Sequence, residues 1–186
     1  MTPTPLVRYA AFMQPADICL SYLGGERIAQ ILEDFSSPRV KAVLKEGGIK
    51  VKLPSGVITQ KKKRQMWQSR ILSAIEKGSD EAASEFLQQW LLNHERPLLM
   101  DYLDALGVKH RAGETDDSFL FSIPAETLRE AAGGLFERFP NDTVAAYLVY
   151  IAHQQQATVF DDWTPLQRAL RVQSASAKSD DPAPGG

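Results

Sequence analysis

Between Gln60 and Gly107 the chain carries three apolar stripes at helical spacing, separated by almost no linker. Met66, Trp67, Ile71, Ala74 and Ile75 mark the first stripe, which Gly78 ends. Ser79 is placed to cap the second, Asp80 and Glu81 complement its N-terminal dipole, and Ala83, Phe86, Leu87, Trp90 and Leu91 form its buried side. Pro97 opens the third, with Leu98, Leu99, Tyr102, Leu103 and Leu106 on one side and Gly107 as the stop. Helices joined this tightly must turn back on one another, so the chain is committed to antiparallel helical packing.

The flanking segments extend the same theme. From Pro15 the pattern is helical through Ile18, Tyr22, Ile28, Ile31 and Leu32, with Gly24-Gly25 splitting it and a second helix running from about Glu26 to Phe35. Ser37 reads as an N-cap and Pro38 as a first-turn residue of a short helix that stops at Gly47-Gly48. After a polar connection from Val108 to Phe121, helix resumes at Pro124 and ends at Pro140. Its internal Gly133-Gly134 predicts close packing or a kink. Asn141 or Asp142 caps a helix bearing Val144, Tyr147, Leu148, Ile151 and Ala152, and Thr164-Pro165 opens a last short one. One segment departs from the helical period: Ile49-Lys50-Val51-Lys52-Leu53 alternates with period two, Pro54-Ser55-Gly56 reads as a turn, and Val57-Ile58-Thr59 follows. Residues 49–59 therefore predict a β-hairpin.

The expected fold is mainly α, a bundle of about seven to eight helices with one inserted hairpin. Residues 15–171 are expected to form a single helical domain, with a sub-boundary near 60. Residues 1–14 are expected to form a partly ordered arm, and 172–186, which lack any large apolar side chain, a disordered tail. No apolar run approaches the roughly 18 residues of a membrane span, so no membrane role and a cytoplasmic location are expected. The single Cys19 excludes an intramolecular disulfide and a Cys-rich zinc site, and its apolar surroundings make it a small core residue.

Net charge is only −2, which excludes a uniformly basic nucleic-acid binder, yet the charge is unevenly placed. Arg39, Lys41, Lys45, Lys50, Lys52, Lys61, Lys62, Lys63, Arg64 and Arg70 stand against the single acid Glu46, so residues 39–70 carry +9. This basic surface, with Trp163 as an exposed aromatic or a loop anchor, predicts a non-enzymatic interaction module that docks an acidic protein surface or a second copy of the chain. An alternative is a nucleic-acid-associated protein, in which the short helix and the basic hairpin loosely resemble the end of a winged helix-turn-helix. Against it, Arg39, Lys41 and Lys45 are accompanied by no Asn, Gln or aromatic reader of base edges.

Catalytic signals are sparse, and no cofactor is called for. His94, His110 and His153 show no ligand spacing, and no nucleophile elbow or phosphate-binding loop is present. Asp101 and Asp104 share one side of a helix, and a metal-dependent enzyme centred on His94, Asp101, Asp104 and His110 is a third reading. It requires those four groups to converge in a cleft. Glu114, Asp116 and Asp117 lack the alternation and glycine of a calcium loop. The block from Arg96 to His110, followed by Gly113-Glu114-Thr115-Asp116, is similar to a segment of an uncharacterised bacterial helical protein family. The resemblance covers about twenty residues and implies a bacterial origin and no activity.

Overall fold

Residues 13–52, 59–115 and 118–169 are described by a computed structural model of the chain. The helices are α1 (Pro15–Ile18), α2 (Gly24–Asp34), α3 (Ser37–Glu46), α4 (Gln60–Glu76), α5 (Asp80–Asn93), α6 (Arg96–Ala105), α7 (Ala125–Phe136) and α8 (Asn141–Gln155). One π-helical stretch, Cys19–Leu23, joins α1 to α2, a 3-10 turn covers Phe119–Phe121, and residues 164–169 are helical. Among the described residues no helix is long and apolar enough to cross a membrane.

α5 is the hub, with α1, α3, α4 and α6 packed around it, and the π-helical stretch and α7 pack on α8. Residues on both sides of position 60 enter one hydrophobic cluster, from Ile28 and Val43 to Phe86, Trp90 and Leu148. Phe35, Phe86 and Trp90 stack through it, with ring centroids 5.7 Å and 6.4 Å apart. Gly47, at the C-terminal end of α3, lies against Ala82 of α5: an added Cβ would come within 3.0 Å of Val43 O, Ala82 Cα and Ala82 Cβ, so only glycine fits.

The predicted hairpin is not supported by the described residues. Among the described residues there is no strand, and Ile49 to Lys52 are coil. α3 closes with Gly48 N–H donating to Lys45 O (3.2 Å) and Ile49 N–H to Leu44 O (2.8 Å), the paired bonds of a Schellman ending. Ile49 and Val51 then lie half-buried against the core while Lys50 and Lys52 face solvent. Period-two alternation reports burial on one side of an extended chain. Here helices supply the buried side, and no second strand is needed to satisfy it. Leu53 to Ile58 lie outside the described residues, and Thr59 already caps α4 by accepting a bond from Lys62 N–H (3.3 Å).

Smaller corrections have similar causes. The N-cap of α3 is Ser36, not Ser37, and its side chain makes no capping bond. Gly133 and Gly134 do not mark close packing: α7 runs through both, and a methyl at either would meet open space. The stop at Gly24 is as expected, but the chain enters it through a π turn. The arm up to residue 12 and the tail from residue 170 lie outside the described residues.

Candidate functional site

α3 and α4 pack against one another and gather part of the basic segment onto one surface. Trp67, half-buried on α4, is the centre of it. Lys63, one turn earlier on the same helix, places its Nζ 5.0 Å from the indole centroid, and Lys41 from α3 places its own at 5.9 Å. Two ammonium groups from different helices thus share one aromatic ring, an arrangement worth about 0.5–1 kcal/mol per cation at exposed sites.

The same two helices and the chain between them carry further exposed cations: Lys45 on α3, Lys61, Lys62 and Arg70 on α4, and Lys50 and Lys52 on the connecting chain. Lys45 pairs with its neighbour Glu46 at 2.7 Å, and that carboxylate holds its ammonium above the usual lysine range. No carboxylate among the described residues lies within ion-pair distance of the other exposed lysines or Arg70.

Three of the predicted contact residues, Arg64, Trp163 and Arg39, are engaged by the fold itself. Arg64 donates through Nη2 to the carbonyls of Glu33 (2.6 Å) and Phe35, and Gln68, one turn on, donates to Leu32 O (2.6 Å). Together they satisfy carbonyls that the C-terminal end of α2 leaves open. Trp163 is half-buried between Phe136 and Phe160, each 5.8 Å away between ring centroids, and anchors the chain after α8. Arg39 is half-buried and donates to His94 Nε2 (3.4 Å), whose ring stacks on Phe35 at 5.6 Å. Trp67, missed as a contact residue, carried a readable signal: Lys63 stands four residues before it and Arg70 three residues after it, on the same side of the helix, yet the partner from α3 is brought only by folding.

The four-residue metal reading does not survive the geometry. Asp101 is held by Arg138 of the α7 end at 2.7 Å, Asp104 pairs with His110 Nε2 at 3.0 Å, and His94 is stacked on Phe35. His110 Nδ1 accepts from Gly113 N–H (3.1 Å), so this histidine pins a turn. No group of three or more His, Cys, Asp or Glu among the described residues is placed to hold a metal ion. Cys19 is fully buried beside Ala83 O, and burial pushes its thiol well above the ordinary range, away from the reactive thiolate.

Compared with protein-family models, with curated proteins and with solved structures, the chain matches none. The short bacterial resemblance therefore brings no functional residue to the chain.

Proposed function

We propose that the chain is a helical docking module that binds an acidic protein partner through the basic face of α3 and α4. The observation that carries this reading is the Lys41–Trp67–Lys63 cluster: two cations from two helices, held on a half-exposed indole with no carboxylate among the described residues within ion-pair distance of them. An aromatic within a cationic rim supplies an anchor and electrostatic steering on one surface. Folding alone gives no reason for the charge placement. Lys61, Lys62, Lys63 and Arg64 occupy the first turns of α4, where each cation opposes the helix dipole at a cost of about 0.3–1 kcal/mol. Arg64 recovers that cost by capping α2, whereas Lys61 and Lys62 stand free in solvent.

The test is fluorescence anisotropy of a labelled glutamate-rich peptide and, separately, of a labelled oligothymidylate, at low and high salt. The expected result is peptide binding that weakens with salt and falls about tenfold in the double variant Lys41→Ala/Lys63→Ala, while the melting temperature stays within a few degrees. Tighter binding of the oligonucleotide, or peptide binding indifferent to the double variant, overturns the reading. Light-scattering mass at the same two salt concentrations reports whether a second copy is the acidic partner.

A further inference from the structure

A groove of about 350 Å³ runs between α5 and α8, on residues the basic face does not use. Its floor is apolar: Leu99 and Leu103 of α6 and Tyr147 of α8 are buried beneath it. Leu92 and Ile151, both half-buried, form facing walls, and the exposed amides of Gln88 and Gln154 stand at the rim. Tyr150 is tied across to α5, with its hydroxyl 3.2 Å from Ser84 Oγ and 3.3 Å from Ser84 O, and burial keeps it a neutral phenol.

One end of the groove is closed by a tight turn that the fold fixes with unusual care. Arg111 and Glu114 exchange backbone bonds of 2.8 and 3.1 Å, and Ala112 and Gly113 between them both have positive φ, +54° and +90°. That is a type I′ turn with an alanine in a left-handed conformation, costing about 1–2 kcal/mol. Gly113 sits so close to Leu99 that an added Cβ would lie 3.0 Å from the Leu99 Cβ, and its N–H is held by His110, itself anchored on Asp104. The consequence is that Glu114 is carried at a fixed position on the groove's lip. Its carboxylate has no cation within ion-pair distance among the described residues, and Arg111 is joined to it only through the backbone.

We propose that this groove binds a small primary amine with an apolar body, seating its hydrocarbon on the Leu99, Leu103 and Tyr147 floor and its ammonium on the Glu114 carboxylate. An ammonium has three donors and no acceptor, and the side-chain carbonyls of Gln88 and Gln154 offer further acceptors at the same rim. The volume falls at the lower end of small-molecule sites, which suits an arylalkyl amine rather than a protein segment. This site stands independently of the α3–α4 reading.

The test compares 2-phenylethylamine with 2-phenylethanol and 3-phenylpropionate by calorimetry and by amide chemical-shift mapping on the whole chain. The amine binds about tenfold more tightly than the alcohol, the carboxylate binds least, and the shifts centre on Gln88, Glu114 and Ile151. Glu114→Gln, an exposed substitution that leaves the fold intact, removes the preference for amine over alcohol while the alcohol still binds. Ile151→Trp fills the groove and abolishes all three. Equal binding of amine and alcohol to the unaltered chain, no binding of the amine at millimolar concentration, shifts located elsewhere, or an amine preference that survives Glu114→Gln each overturns the proposal.

Discussion

α4 and α8 are helices of similar length, 17 and 15 residues, put to opposite uses. α8 is buried without interruption from Thr143 to Val149, so over that stretch it has no solvent face. α4 buries only Ile71 and Ile75, both in its second half, and its first half projects Lys61 and Lys62 into solvent while Lys63 lies half-buried over Trp67. The difference lies in what each helix owes to the core. α8 is held by packing and tolerates little change, while the opening of α4 is held by its Thr59 cap and by the bonds of Arg64 and Gln68, which leaves its other side chains free to meet a partner.

Cutting into α8 should have the largest effect. Leu148 is fully buried, and Leu148→Ala is expected to cost about 2–5 kcal/mol in chemical denaturation, through lost transfer energy and the cavity left behind. Arg64→Ala sharpens the contrast within α4, because it strips donors from the α2 carbonyls. A loss of about 1–3 kcal/mol is expected, and a loss below 0.5 kcal/mol by the measure of an ordinary surface substitution would make Arg64 just another exposed cation. At the end of α8, Gln156 holds a left-handed conformation at φ +52° that glycine adopts freely, so Gln156→Gly should raise stability by about 0.5–1 kcal/mol. Lys62→Ala, in the exposed opening of α4, should leave stability within about 0.5 kcal/mol of the parent.

The smallest effect concerns Glu95, beside the start of α8. Burial raises its pKa above the ordinary 4.5, against the pull of Arg27 and His94, and the Asp142 charge adds to the rise. The unfolded chain then loses this proton at lower pH than the folded one, so Glu95 lowers stability as pH climbs through the ordinary carboxylate value and toward the raised one. Glu95→Gln should be the more stable protein at neutral pH, with the gap closing below pH 4.5. A gap that persists or widens in acid would assign the effect to something other than charge burial. Thermal melts across that range read it directly.

Much of the helical order was legible because its punctuation is local. Gly78 with Ser79, Pro97, Gly107 and Pro124 each act through backbone conformation or capping within a few residues, and the helices fall where those residues put them. The depth of α8 was legible only in part. The stripe Val144, Tyr147, Leu148, Ile151 and Ala152 marks one buried side, yet Ala145, Ala146 and Val149 are equally covered, as the uninterrupted apolar run from Val144 to Ala152 implies. Misreading at Ile49 to Lys52 came from the same source as success elsewhere: periodicity reports which side is buried and is silent about what buries it.

For the site, the sequence by itself determined the charge: the excess of +9 between residues 39 and 70 is a property of composition and survives any fold. Only the tertiary structure decided how those cations are spent. It sent Arg64 to the end of α2, laid Lys41 from another helix over Trp67, and parted His94, Asp101 and Asp104 toward Phe35, Arg138 and His110. Charge is additive along a chain, but a contact between residues far apart in sequence exists only once packing has fixed the distance between their helices.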